Sequence, residues 1–415
     1  DPATIIDGGG QIRVLECTAG ESVDTVFENL VIQNGFSMNG GGMYNASSSP
    51  MLINCTFTGN SAEFDGGGMY NLESSSPALT RCTFTENSAE YGGGGMSNTS
   101  SSPNLTDCTF TSNSAIGPFG SGGGMYNEFS SPTLTGCTFM DNSVVEDGGG
   151  MYSTESTLTL VNCTFTNNSA DTGGGMYNTS STPILTDCTF GENLARYGGG
   201  MSNAGGSSPT LDNCTFTSNS VEFNGGGMYN LDGSSPTLTN CMFMDNSATS
   251  IGSAGGGMYN ESSSPALIGC TFTDNSSNEG GGGMYNENSS SPILADCTFT
   301  DNSASSGGGM SNGNSSSPTL TDCTFENNSV VFNGGGMYND AGSSPDLTDC
   351  TFTGNSADFG NGGGMWNYQG TPTLTDCTFA NNSAGYGGGM WNYQSPATLT
   401  DCAFTSNSVT GLFSR

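Results

Sequence analysis

One feature dominates this 415-residue chain: fourteen of its fifteen cysteines, from Cys55 to Cys402, recur at intervals of 25 to 29 residues. Around each runs the same phrase, Ser-Pro-x-Leu-Thr-Asp-Cys-Thr-Phe-Thr-x-Asn-Ser-Ala, then a variable link and Gly-Gly-Gly-Met-Tyr-Asn. The Asn three residues after Phe is present in all fourteen copies, from Asn60 to Asn407. The Asn closing Met-Tyr-Asn is present in thirteen, with Ser153 the exception. A unit this short cannot bury an apolar face alone, so the units must stack on one another.

The pattern predicts an all-β fold, a right-handed parallel β-helix (β-solenoid) with three short strands per coil and about 14–15 coils. The strands are read as Pro-x-Leu-Thr, Cys-Thr-Phe-Thr and Gly-Gly-Met-Tyr. Alternation turns Leu, Cys, Phe and Met inward and Thr and Tyr outward. Gly triplets in every repeat are incompatible with helices. The invariant Asn residues are expected at tight bends, with their amides bonded along the stack. The glycines are expected where φ is positive or a neighbouring coil approaches closely. Residues 1–35 read as a more aliphatic starter coil, with Leu30 in the Cys position and Cys17 outside the cysteine column. Residues 36–408 form the repeats and 409–415 a tail.

Composition narrows the partners. There are 38 acidic residues against 4 Arg, with no Lys and no His, for a net charge of −34. Nucleic acid is excluded as an expected partner, because phosphate binding needs Lys and Arg. No apolar run is long enough for a membrane span. The chain opens on Asp1 rather than Met, so a processed or partial sequence is expected.

The Phe-x-x-Asn and Gly-Gly-Gly-Met motifs resemble the Phe-x-x-Asn and Gly-Gly-Ala-Ile/Leu/Val repeats of polymorphic outer-membrane-protein adhesins. They are similar also to other right-handed β-helix repeat proteins of bacterial surfaces. The resemblance spans residues 36–408 and implies a secreted passenger that mediates attachment. One departure stands out, the third Gly in place of Ala, and autotransport through a barrel is not an expectation that the residues up to Phe413-Ser414-Arg415 support.

Several columns are candidates for chemistry. The residue after Met is Tyr in nine coils, Trp in two and Ser in three. Tyr44, Tyr70, Tyr126, Tyr177, Tyr229, Tyr259, Tyr285, Tyr338, Trp366 and Trp391 are therefore candidate glycan-stacking residues. The alternative is packing of these rings on each other and on Phe64, Tyr91, Phe223 and Phe332. Asp precedes Cys in the last five coils, at Asp296, Asp322, Asp349, Asp376 and Asp401, a candidate calcium column. Solvated turn residues are the plainer reading. The cysteines are expected as small buried side chains, and no zinc site is expected. Both threonines of Cys-Thr-Phe-Thr occur in eight of fourteen coils, an ice-binding pattern broken at Met140, Gly191, Met242, Met244, Glu326 and Ala380.

A polysaccharide-cleaving β-helix needs a special coil carrying carboxylates or a base. The longest links, around 114–121 and 247–254, contain no carboxylate. The sequence thus predicts no enzyme. It predicts an extracellular or bacterial cell-surface structural and adhesive solenoid that contacts glycans or neighbouring cells, with end-to-end stacking into a filament as one expectation and a glycan-binding adhesin passenger without polymerisation as the alternative.

Overall fold

Equivalent residues of successive repeats lie side by side in parallel register, as the columns require. Met69 pairs with Met96, Leu79 with Leu105 and Phe84 with Phe110. The computed structural model describes residues 4–410 and divides the chain into two compact units, Asp1–Asn203 and Ala204–Arg415. Each unit is a parallel β-solenoid, and the described residues contain no helix. Eight strands of the Phe column run from Thr4–Asp7 to Thr189–Gly191 in the first unit, and eight from Thr215–Thr217 to Ala403–Thr405 in the second.

The strands differ in extent from the sequence expectation. The Met strand begins at Met and runs through Asn, as in Met69–Leu72, with the glycines ahead of it as a turn. A fourth short strand follows the invariant Asn in most coils, usually of two residues beginning with Ser, for example Ser61–Ala62 and Ser88–Ala89. Two residues are too few to show a period, and so it escaped the pattern. Its Ser amide donates to the preceding coil, as Ser88 N does to the Asn60 carbonyl at 2.9 Å.

The starter segment supplies a strand to each main sheet. Thr4–Asp7 pairs with Leu30–Gln33, Leu15–Cys17 with the Met strand and Val26–Glu28 with the Leu strand. Cys17 stands opposite Asn45, in the asparagine column rather than the cysteine column. Of the tail expected over 409–415, Val409 ends the last Ser-Val strand, and 411–415 lie outside the described residues.

The core is one coil wide. Leu, Cys, Phe and Met of the interior coils are 0–1% exposed. The Phe rings stack face to face, as Phe84 does on Phe110 with centroids 4.7 Å apart and planes 2° from parallel. The cysteines of the column are free thiols, buried except for the half-buried Cys402.

Two buried amide ladders lock the register. Asn87 Nδ2 donates to Phe57 O and to Asn113 Oδ1, both at 2.9 Å, and Asn87 N reaches the same Oδ1 at 3.1 Å. In the second ladder each Nδ2 donates to the next Oδ1, as Asn71 does to Asn98 at 2.8 Å. Except in the last coil, where Asn392 is exposed and Asn407 half-buried, these amides are fully buried, so only an in-register neighbour can satisfy them. The glycine turn is equally constrained. Gly66 has a φ of 66°, and a Cβ at Gly68 would sit 2.5 Å from the Gly95 carbonyl oxygen.

Within the repeats the second ladder is interrupted at Ser153. Ser153 replaces Asn, so Asn127 Nδ2 turns to the Tyr152 carbonyl at 3.4 Å. The Oδ1 of Asn178 and the Oγ of Ser153 are left buried without partners. Ser153→Asn should supply the missing donor and acceptor. The expected gain is about 1 kcal/mol, measured as a raised urea midpoint with an unchanged m-value. An unchanged or lowered midpoint would contradict the ladder account.

Candidate functional site

The residue after Met points away from the core, and parallel register stacks it on its counterpart in the next coil. Tyr126 lies on Tyr152 at 5.0 Å, Tyr152 on Tyr177 at 5.4 Å, and Tyr44 on Tyr70 at 5.7 Å. In the second unit Tyr259 lies on Tyr285 at 5.1 Å and Tyr338 on Trp366 at 4.4 Å. The column is not a bare surface. Tyr70, Tyr229 and Tyr259 are 5–8% exposed, and Tyr44, Tyr126, Tyr177, Tyr285, Tyr338, Trp366 and Trp391 are half-buried. Link residues close over it, and they stack too, as Phe64 does on Tyr91 at 5.8 Å.

Serine interrupts the column at Ser97, Ser202 and Ser311. A missing ring leaves about 9.5 Å between its neighbours, two strand spacings, which is room for one further ring. Near Ser97 the gap is covered. Tyr126 leans across Gly92, where a Cβ would fall 3.0 Å from its ring, and Tyr70 Oη bonds Thr99 Oγ1 at 3.4 Å. Ser97 Oγ is left buried without a partner. A neighbouring groove of about 310 Å³ is walled by Tyr126 and Tyr152, with Asp65, Tyr91 and Phe119 at its edge.

At Ser311 the gap is open. Tyr285 and Tyr338 wall a groove of about 430 Å³, with Ser311 and Gly280 in its floor. A methyl group at Gly280 would lie 3.0 Å from the Tyr285 ring and 3.3 Å from Ser311 Oγ, so only glycine keeps this floor low. Glu279 and Asp340 line the groove, and Phe332 and Ile251 stand exposed at its rim. Tyr338 Oη lies 3.2 Å from Asp340 Oδ2. A smaller hollow of about 150 Å³ adjoins it, sharing Gly252, Glu279 and Tyr285 and adding Tyr259 and Glu287. There the Tyr259 hydroxyl bonds Glu287 Oε2 at 2.6 Å.

The groove is electrically negative. Burial pushes the Tyr285 phenol up, and the charges of Glu287, Glu279 and Asp340 push it further. Burial does the same to Tyr338, followed by the charge of Asp340 and its hydrogen bond. In the first unit, burial raises Asp65 to about 6, opposed by the Gly92 amide and aided by Glu128. Asp147 is raised to about 6 by the same cause, opposed by Thr172.

The aspartate column has a backbone explanation. Asp296, Asp322, Asp349, Asp376 and Asp401 all have φ between 52° and 54°, and all are exposed. The same position is Asn, Arg or Gly with positive φ in other coils, such as Asn54, Arg81 and Gly136. Asp and Asn tolerate this left-handed bend better than most residues. Among the described residues no three His, Cys, Asp or Glu side chains come together as a metal-holding group.

The grooves were not legible link by link. The link at Ile251 and Gly252 carries no carboxylate of its own, yet Glu279 and Asp340 from other coils face it. Phe119 and Ser121 meet Asp65 in the same way. The available signal was the serine substitution near a fourth glycine, Gly92 with Ser97 and Gly280 ahead of Ser311.

A family model described as "Right handed beta helix region" matches residues 4–125, 116–243, 205–372 and 258–415. No curated protein matches the sequence. Among solved structures, the Siphovirus 9NA tailspike receptor binding domain is similar at 8% identity, with 97% of this chain and 74% of that chain covered and a TM-score of 0.22. A likeness that distant carries no argument about activity.

Asp65 sets a pH dependence. Its folded pKa lies above the unfolded value, so its contribution favours folding below about pH 4 and is lost as pH rises through about 6. Asp65→Asn should remove that loss and raise stability at pH 7.5 by on the order of 2 kcal/mol relative to the native protein, with little change at pH 4. Urea unfolding at the two pH values checks this. An equal effect at both would count against a buried neutral carboxyl.

Proposed function

Because the chain belongs to the right-handed β-helix family, we propose that it serves as an extracellular or cell-surface scaffold whose tyrosine face binds glycans. One observation carries the reading: the aromatic column opens at Ser311 into a groove of about 430 Å³ walled by Tyr285 and Tyr338. Aromatic faces stack on the apolar faces of sugar rings, while carboxylate and amide groups accept and donate to hydroxyls. Asn278, Ser305, Glu279 and Asp340 supply such groups around the rings. The volume falls in the usual range for small-ligand sites.

The residues can be changed without breaking the fold. Ser already stands at the Tyr position in three coils, with Met and Asn of those coils still buried. Tyr285→Ser with Tyr338→Ser should leave the circular dichroism spectrum unchanged and weaken binding to an oligosaccharide panel at least tenfold. Unaltered binding to every sugar would remove the groove from the reading.

A second reading, cleavage of a polysaccharide, is favoured by Glu279 and Asp340 lining one groove, since glycoside hydrolysis uses two carboxylates. Following the same incubations for new reducing ends decides it, and we expect none. End-to-end stacking is a separate proposal. On the last described coil Leu399 and Phe404 are 42% and 44% exposed, whereas Leu374 and Phe379 are fully buried. A further coil of the same chain would cover them equally well. Sedimentation velocity over a range of concentrations should show oligomers, and a constant monomer would end that proposal.

A further inference from the structure

The groove at Ser311 has the chemistry of a cation site. Two tyrosine rings offer the negative faces of their π-systems, and two carboxylates stand beside them. No basic side chain neutralises them: from Ala204 to Thr410 the sequence carries eighteen Asp and Glu and no Lys, Arg or His. The adjoining hollow adds Glu287. The field of these charges is felt at the walls, where Glu279 and Asp340 both raise the Tyr285 phenol.

The first unit shows the same set of groups with a cation in place. Arg13 lies over the Tyr44 ring, 4.5 Å from its centroid. Its guanidinium bonds Glu16 at 2.7 Å, the Gly40 carbonyl at 3.2 Å, and Ser37 and the Asn39 carbonyl at 3.1 and 3.0 Å. Aromatic face, carboxylate and hydroxyl there hold a positive group supplied by the chain itself. Around Ser311 the aromatic faces, carboxylates and hydroxyls recur, and none of the described residues lining the groove is a cation.

We propose that the ligand seated between Tyr285 and Tyr338 is an amino sugar whose protonated amine faces Glu279 and Asp340. The proposal rests on the glycan reading above and narrows its ligand class. The ring stacks in the place of the missing aromatic side chain, over Ser311. The amine is drawn in by the negative groove and held by the two carboxylates and the π-faces. Sugars bearing carboxylate or sulfate are repelled by the same charges. The adjoining hollow, with Glu287 and Tyr259, receives a second amine-bearing unit of a short oligomer.

The test uses the full chain and three tetrasaccharides at pH 6: glucosamine, N-acetylglucosamine and glucose. Calorimetry should show glucosamine tetramer binding at least tenfold more tightly than the other two, with affinity falling as salt rises. Glu279→Gln with Asp340→Asn should abolish that preference. Asp296→Asn, which removes an exposed charge outside the groove, should leave it intact. If Asp296→Asn weakens binding as much as the groove variant does, the attraction is diffuse and the proposal is overturned. Equal binding of all three sugars also overturns it, while the glycan reading stands. Binding of none overturns both.

Discussion

In-register stacking of buried asparagine amides is the constraint on which the other columns depend. From Asn60 to Asn382 each amide of this column is fully buried and finds its partners only in the coils on either side. A slip of one residue would place these polar groups against apolar neighbours and turn every Phe and Leu outward. The Phe stack, the cysteine column and the glycine turns are therefore aligned by the same ladder that pays for its own burial. Where the ladder is incomplete the cost is visible, in the unpartnered oxygen atoms of Asn45 and Asn178. These stand beside Cys17 and Ser153, the two places where an asparagine is replaced.

Rigid columns leave the loops as the places where repeats of unequal length are accommodated, chiefly the variable link and to a smaller extent the stretch between Met-Tyr-Asn and Pro. The repeat varies from 25 to 29 residues, and the columns stay in register. Extra link residues leave the sheet between Ala and the glycines and fold over the tyrosine face. Phe119 and Ile251 belong to two of the longest links, and both end at the rim of a groove. Function on this face is thus expected where a long link, a low glycine floor and a missing ring coincide. That combination is open around Ser311, where Tyr285, Ser311 and Tyr338 line one groove, whereas near Ser97 the neighbouring groove is walled by Tyr126 and Tyr152 instead.

The same geometry separates two kinds of acidic residue. The aspartates before Cys occupy left-handed bends, and their identity is accounted for by backbone conformation. Glu279 and Asp340 occupy no such bends, and both line the groove. Asp65 and Asp147 sit immediately ahead of the glycine turns, where burial holds their protons to near neutral pH. Charge alone made all of these look equivalent.

The sequence by itself determined the parallel coil, the inward columns of Leu, Cys, Phe and Met, and the asparagine ladders. Each follows from a strict repeat, because identical residues at equal intervals can all be buried only by stacking on themselves. It did not reveal the strand of usually two residues after the invariant Asn, which is too short to carry a period. Nor did it reveal how far the tyrosines are covered, since exposure depends on where each link folds back. The groove at Ser311 was beyond its reach for a related reason. Gly252, Glu279, Ser311 and Asp340 are spread over nearly ninety residues, and only the short spacing between stacked coils makes them neighbours.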